Sequence, residues 1–276
     1  MRELTLTEIH SGILEMMDYL HRFCNDHGIR YYVGFGSLIG AIRHNGFIPW
    51  DDDFDIQMPR KDYMIFREAF AKENHPYYRL CERKNTKNYY YGIPRFGDMR
   101  YRYIPTKKGE EDFDNGLFID IYPLDNFCNT VEEAERLKKR VDRLNIMYTH
   151  YVNRRNPRGG IMNVVQAITH TLLRAWYGNR LPEKIDDMVL RKINQYTSDG
   201  DKYIGEVCWD YTTSAYPKEW FAERELHDFE GRQYWIPKGY DPLLRMDYGD
   251  YMQPPPEDQR TFTRHGYQIM TEQESL

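Results

Sequence analysis

The sequence predicts an α/β (α+β) protein whose sheet has mixed strand directions. Near the N-terminus, apolar residues that include Leu6, Ile13 and Phe23 recur at helical spacing. Shorter apolar runs separated by turn residues follow, and residues 77–125 have the pattern of several strands. Helices combined with strands in this order favour a sheet covered by helices. With 276 residues, the chain is long enough for one large domain or for a core with an insertion.

The first elements are predicted to be a long helix, a strand and a short helix. The apolar face of the first helix ends before Gly28, where we expect that helix to stop. A strand is predicted around residues 31–35, followed by a turn at Gly36 and Ser37 and by a short helix through Arg43. The Asn-Gly dipeptide at 45–46 predicts the next turn.

A cluster of aspartates follows this turn. Asp53, Phe54, Asp55 and Ile56 alternate acidic and apolar side chains, which predicts a strand with both acids on one face, about 7 Å apart. Asp51 shares this alternation, so a register that uses it is also open. Two carboxylates so close repel each other unless a cation lies between them, and such ligands suit Mg²⁺ or Mn²⁺.

The glycine-serine turn before the acids strengthens this interpretation. Glycine has no Cβ, so backbone N–H groups at such a turn can approach a phosphate. Each feature alone is also common in solvated loops and helix caps. Together, in this order, they indicate a site for phosphoryl or nucleotidyl transfer.

Residues 130–200 differ from the rest in pattern and charge. Residues 136–182 contain ten Lys or Arg and one acid, a net charge of +9, although the whole chain carries −5. The pattern predicts a charged helix at 131–148 and a second helix at 161–177. The apolar face of that second helix consists of Ile161, Val164, Val165, Ile168, Leu172, Leu173 and Trp176.

We therefore predict three regions: a catalytic core at 1–129, a basic helical insertion at 130–200 and a C-terminal segment at 201–276. The insertion has two interpretations. It either contacts an anionic membrane peripherally through 136–182, or packs on the core with a solvated basic face.

Composition excludes several other classes. The four cysteines are far apart and form no CxxC pair, so neither a structural zinc site nor a disulfide framework is predicted. The sequence has no signal peptide and no apolar run of about 18 residues, so we expect a cytoplasmic protein, at most at the inner face of the membrane. Overall acidity, without a basic strip interleaved with aromatics, argues against a nucleic-acid partner.

The stretch GSLIGAIRHNGFIPWDDDFDIQMPRKDY resembles the signature of the LicD family, which includes bacterial phosphocholine transferases and is similar to the fukutin-related proteins. Gly36, Ser37, Asp53 and Asp55 match the start of the wider nucleotidyltransferase pattern, and Asp120 in GLFIDIYPLD matches its third acid. The tail FEGRQYWIPKGYDPLLRMDYGDYMQPPPEDQR also resembles the family. The resemblance implies a nucleotidyltransferase-like mixed sheet flanked by helices, and it covers most of the chain apart from about residues 130–205.

The resemblance also implies a reaction. Phosphocholine or a related phospho-alcohol would move from CDP-choline, or another CDP-alcohol, to a sugar hydroxyl, with release of CMP. The acceptor would be a glycan or lipid-linked oligosaccharide of a cell-surface polysaccharide, such as lipopolysaccharide or a teichoic-acid precursor. Asp53 and Asp55 would hold the metal on the diphosphate, and Asp120 would either complete the metal site or take the hydroxyl proton.

Other residues of the matched motif are candidates for binding the donor. The backbone of Gly36 and Ser37 would hold a phosphate, and Arg43 and His44 would neutralise charge on the diphosphate. We expect Arg95 to form an ordinary surface ion pair. The three tyrosines at 89–91 are candidates, by composition, for a cage around a quaternary ammonium group.

Three alternatives to this reaction remain. A nucleotidyltransferase would put a nucleotide from an NTP on a small molecule or protein and release pyrophosphate. A glycosyltransferase with an Asp-x-Asp metal site would release a nucleoside diphosphate, but the preceding glycine-serine turn disfavours it. A non-enzymatic glycan scaffold would need a broken acidic set, whereas Asp53, Asp55 and Asp120 are all present.

Overall fold

The structure is a computed structural model, and it describes residues 1–106, 113, 115–152, 160–208, 215–260 and 266–272. The helices in these ranges are α1 Leu6–Asp26, α2 Phe35–His44, α3 Arg60–Glu73, α4 Val131–Tyr151, α5 Ile161–Tyr177, α6 Leu181–Tyr196 and α7 Tyr240–Tyr248. The strands in these ranges are β1 Arg2–Glu3, β2 Tyr32–Val33, β3 Asp55–Pro59, β4 Tyr78–Cys81, β5 Arg95–Asp98, β6 Arg102–Pro105, β7 Leu117–Asn126, β8 Tyr203–Gly205, β9 Tyr216–Pro217, β10 Arg224–Phe229, β11 Arg232–Pro237 and β12 Tyr267–Thr271.

A mixed sheet forms the centre of the molecule. Its strand order is β2-β3-β7-β5-β4, and β8 and β9 extend it from β7. Strand β3 runs parallel to β7, and the pairs β2–β3, β5–β7 and β4–β5 are antiparallel. The prediction of an α/β fold with mixed strand directions is therefore confirmed.

Two smaller sheets connect distant parts of the chain. Strand β12 lies between β1 and β6, so residues near both ends of the chain share one sheet. Strands β10 and β11 form a hairpin, and β11 packs beside β2. The C-terminal segment thus packs against the central sheet at β2 and shares a sheet with β1 and β6.

Helix α1 shows how local sequence and burial act together. Its first turn has a capping box, in which the Glu8 N–H donates to Thr5 Oγ1 (3.3 Å) and the Thr5 N–H donates to Glu8 Oε2 (2.8 Å). Its apolar face buries Ile13 and Leu20 completely. Gly28 follows the helix with φ +66°, as expected for its stop.

Two local predictions around the acidic motif are wrong. Gly36 and Ser37 do not form a turn before a helix, because α2 already begins at Phe35 with Gly34 as its N-cap. Strand β3 begins at Asp55, so Asp53 lies just outside it. The pairing of β3 with β7 begins at Asp55, opposite Asp120, and the pairing with β2 covers only residues 56 and 57.

Residues 131–196 form three helices, and α4 packs against both α5 and α6. The contact between α4 and α6 buries Leu137 and Val141 with Val189 and Ile193. Among the described residues, no helix combines the length and hydropathy that a membrane span requires. The division at residues 129 and 200 stays a prediction.

Candidate active site

Three charged side chains lie in register across the centre of the sheet. Asp55, the first residue of β3, is the Cα partner of Asp120 on β7, and Arg95 on β5 pairs with Asp120 from the other side. Neighbouring strands lie about 4.8 Å apart, and paired residues point to the same face. The fold therefore brings together two of the predicted acids that are 65 residues apart in sequence.

The start of α2 lies against these acids. The Asp55 N–H donates a hydrogen bond to Ser37 Oγ (2.9 Å), and Ser37 is buried. A Cβ on Gly36 would lie 3.1 Å from Asp51 Oδ2, so the absence of a side chain allows this close approach. N–H groups in the first turn of a helix have no acceptor within the helix and favour anions. Gly36 and Ser37 are thus placed where a phosphate could meet both backbone N–H groups and the acids.

Asp55 lies in an environment that opposes its charge. Burial raises its pKa well above the ordinary value, and the negative charges of Asp53, Asp120 and Asp51 raise it further, against an opposing effect of Arg95. Its Oδ1 atom is buried, and no group in the described ranges donates a hydrogen bond to it. A cation at this oxygen would relieve both the repulsion and the missing hydrogen bond.

The residues fit a divalent cation, although they do not form a complete site by themselves. Within the described residues, no three His, Cys, Asp or Glu side chains are arranged to hold a metal ion. Asp120 Oδ1 already accepts a hydrogen bond from Arg95 Nε at 2.7 Å. Asp53 and Asp55 would then supply the protein ligands, with phosphate oxygens and water as the rest, which is common for Mg²⁺. The metal set of Asp53, Asp55 and Asp120 stays a prediction.

Arg95 is not the surface residue that we expected from the sequence. It is 5% exposed, and its guanidinium lies 3.7 Å from the ring centroid of Phe118 and 4.3 Å from that of Tyr91. Tyr89 is buried, and its hydroxyl donates to the Ile93 carbonyl. All three tyrosines proposed to form a cage for choline therefore have structural contacts, and Tyr91 faces a cation of the protein itself.

A different pair of rings borders the acids. Phe35 and Tyr122 have ring centroids 4.5 Å apart. Tyr122 lies two residues after Asp120 on the same face of β7, and burial raises its pKa, as do the charges of Asp55 and Asp120. Phe35 has φ +50°, a conformation that is strained for a bulky side chain and that often marks functional sites. Sequence reasoning missed both rings, because only the three-dimensional pairing of α2 with β7 reveals them.

Comparison with known proteins identifies the family. The family model described as "LicD/FKTN/FKRP, nucleotidyltransferase domain" matches residues 28–151. The chain is 33% identical over 262 residues to lipopolysaccharide cholinephosphotransferase LicD of Haemophilus influenzae, covering 94% of this chain and 95% of the relative. The chain belongs to the LicD family. A more distant similarity, 26% identity over 119 residues, links it to mannosyltransferase regulator 4 of Saccharomyces cerevisiae, covering 41% of this chain and 10% of that protein.

The C-terminal part of this LicD protein adds a buried acid to the site region. Gln57 lies two residues after Asp55 on the same face of β3, and its Nε2 donates a hydrogen bond to Glu206. Burial raises the pKa of Glu206 to about 8. Burial also raises the pKa of Tyr248, and the negative charge of Asp55 acts in the same direction. No local motif marks Glu206, which lies 149 residues from Gln57 in sequence.

Arg43 and His44 lie at the opposite end of α2 from the LicD glycine-serine pair. They occupy the last turn of the helix, about 10 Å along its axis from Gly36. Arg43 Nη1 donates to the Tyr251 carbonyl (2.6 Å), and Arg43 Nε donates to His44 Nε2 (3.0 Å). Their role in donor binding stays a prediction, and the contacts of Arg43 connect the end of α2 to the segment after α7.

Proposed function

We propose that this chain transfers phosphocholine, or a related phospho-alcohol, from a CDP-linked donor to a sugar hydroxyl and releases CMP. The acceptor is a glycan or a lipid-linked oligosaccharide. The observation that carries this proposal is the buried Asp55 carboxylate, which lies among other acids at the first turn of α2. The similarity over nearly the full length to a cholinephosphotransferase supports the choice of transferred group.

In the proposed reaction, the acceptor hydroxyl oxygen attacks the phosphorus that carries the choline. A new P–O bond forms, the P–O bond to CMP breaks, and the hydroxyl proton passes to a base. A divalent cation held by Asp53 and Asp55 would neutralise the charge that the diphosphate brings into the site. N–H groups of Gly36 and Ser37 would donate to a phosphate oxygen.

Asp120 is our candidate for the base, and Arg95 positions it. Arg95 Nε donates a hydrogen bond of 2.7 Å to Asp120 Oδ1 and so fixes the orientation of this carboxylate. Asp120 and Asp55 point to the same face of the sheet. A base needs only hydrogen-bond reach of the proton that it accepts. The alternative role of Asp120, as a third metal ligand, would require the carboxylate to bind both Arg95 and the cation.

Phe35 and Tyr122 are our candidates for recognition of the alcohol headgroup. A trimethylammonium group binds to the faces of aromatic rings, and these two rings border the acids. This choice replaces the tyrosines at 89–91.

A second candidate is nucleotidyl transfer, because the matched family model describes a nucleotidyltransferase domain. An NTP donor would need the same acids and helix terminus. The two reactions differ in the product that leaves, which is CMP in the first and pyrophosphate in the second.

Product identity tests the proposal. The protein is incubated with Mg²⁺ or Mn²⁺, a panel of CDP-alcohols and NTPs, and a mixed glycan extract as acceptor. We expect CMP from one CDP-alcohol, dependent on acceptor and lost in the Asp55→Asn variant. Asp187→Asn, an exposed aspartate on α6, is the matched control. Pyrophosphate from an NTP without CMP would overturn the proposal in favour of the second candidate.

We further propose that the protein works at the cytoplasmic face of a membrane. The relative's acceptor is, by its name, a lipopolysaccharide, a glycan carried on a lipid. Residues 136–182, with a net charge of +9, have the charge that suits anionic lipid.

A further inference from the structure

Helix α5 turns an apolar side to the solvent, whereas a helix on the surface of a globular protein normally turns its apolar side to the core. One side of the helix exposes apolar side chains, most of them three or four residues apart, whereas Leu173 and Tyr177 are partly buried against the core. The exposed fractions are 79% for Ile161, 58% for Val164, 44% for Val165, 56% for Ile168, 63% for Leu172 and 83% for Trp176. A patch of this kind on a protein surface marks an interaction site.

The opposite face of α5 packs on the protein, and polar residues of that face form hydrogen bonds with α4. Gln166 is 5% exposed. Thr169 Oγ1 and His150 Nδ1 of α4 lie 2.8 Å apart, and His170 Nδ1 lies 2.8 Å from the Tyr151 carbonyl oxygen. The hydrogen bonds fix the rotation of the helix, so its apolar side cannot turn inward without breaking them.

Charge indicates what covers this face. Helix α5 contains no Asp or Glu, and the surrounding stretch 136–182 has ten Lys or Arg against one acid. A two-fold contact between copies of this chain would bring together two stretches that each carry a net charge of +9. An anionic bilayer offers opposite charge and an apolar interior in one partner.

We propose that the outward face of α5 inserts into the interfacial layer of a membrane that contains anionic phospholipid. The helix lies parallel to the membrane plane, because its 17 residues span only about 26 Å and its other face is bound to α4. The inference does not depend on which group the enzyme transfers.

Vesicle flotation tests the inference without any substrate. The full chain is mixed with vesicles of phosphatidylethanolamine and phosphatidylglycerol, or with vesicles of phosphatidylcholine alone. We expect binding to the anionic vesicles, weakened at high salt, and at least a roughly tenfold loss of binding in Ile168→Glu. The matched control is Ile65→Glu on α3, where an isoleucine is 50% exposed on another face, and it should bind like the unchanged protein.

Trp176 gives an independent readout. Its indole is 83% exposed, so insertion should shift its fluorescence to the blue when anionic vesicles are added. That shift should disappear in Trp176→Phe. Both glutamate variants should keep the melting temperature of the unchanged protein, because the substituted side chains face outward.

Three results would overturn the inference. The unchanged protein could fail to float with anionic vesicles, or Ile168→Glu could bind them like Ile65→Glu. In the third case, the unchanged protein would not bind vesicles, and light scattering would show that it is a dimer. Ile168→Glu would be a monomer, which would mean that a second copy of the chain covers α5. None of these results depends on product identity, so failure of the membrane inference and failure of the proposed reaction are distinguishable.

Discussion

At the scale of single residues, the site is organised around a carboxylate that the fold destabilises. Asp55 is buried, repelled by its acidic neighbours and left without a donor at Oδ1 among the described residues. A carboxylate in such surroundings lowers the stability of the protein unless a cation balances its charge. The ion pair with Arg95 balances the negative charge of Asp120. Asp55 is then the acid that most requires a cation.

Replacing Asp55 by Asn should therefore separate activity from stability. We expect transfer to fall by at least about 100-fold, because the charge that would hold the cation is gone. The melting temperature in EDTA should be no lower than that of the unchanged protein. Added Mg²⁺ should raise the melting temperature of the unchanged protein but not that of Asp55→Asn.

Asp53→Asn should lose activity in the same way, and Asp187→Asn should behave like the unchanged protein in both measurements. Normal transfer by Asp55→Asn would remove the whole assignment of the site. A melting temperature several degrees lower in EDTA would contradict the idea that this carboxylate is strained.

At the scale of elements, the periodicity of apolar residues predicted the long helices. It did not predict the strand boundaries and contacts that depend on the pairing of distant segments. The apolar repeat of α1 follows from local sequence, and it is buried as expected. The start of β3 at Asp55, which leaves Asp53 outside the strand, depends on pairing with β2 and β7, which no local pattern reveals. Gln57 and Glu206 likewise meet only because β3 packs near the segment after β8.

The start of α2 offers a test of the Phe35 ring at this scale. Gly34 is the N-cap of α2, and Phe35, the first residue of the helix, takes the positive φ. Phe35→Gly should be about 1 kcal/mol more stable than Phe35→Ala, since only glycine adopts this φ without strain. Both variants should raise KM for the CDP-alcohol about tenfold, because both lose the ring.

Asn45→Gly is the matched control for Phe35. Asn45 has φ +52° at the other end of α2, so the change places glycine at another left-handed position without touching the rings. It should leave KM unchanged. An unchanged KM in Phe35→Gly, measured by steady-state CMP release, would exclude this ring from donor recognition while leaving the reaction itself intact.

At the scale of the whole molecule, a buried acid links the C-terminal segment to strand β3. Glu206 follows β8, accepts a hydrogen bond from Gln57 on β3 and is 6% exposed. Because burial raises its pKa to about 8 from an ordinary 4.5, the folded state binds this proton more tightly than the unfolded state does. The stabilising effect of that proton is complete below the unfolded pKa and is lost as the pH rises through the folded pKa.

The stability of the unchanged protein relative to Glu206→Gln should therefore fall as the pH rises between those two values, by at most about 1.4 kcal/mol per pH unit. Urea unfolding of both proteins from about pH 5 to about pH 9 measures this difference. The difference in unfolding free energy between the two proteins should be smallest at the acid end. As the pH rises, Glu206→Gln should become the more stable protein by a growing margin. The difference should be constant once Glu206 is ionised in both the folded and the unfolded state. Glu183→Gln, at an exposed position on α6, should show no such trend. A gap that stays constant across the range would mean that Glu206 is already ionised in the folded protein near neutral pH, and its link to Gln57 would then be a charged hydrogen bond.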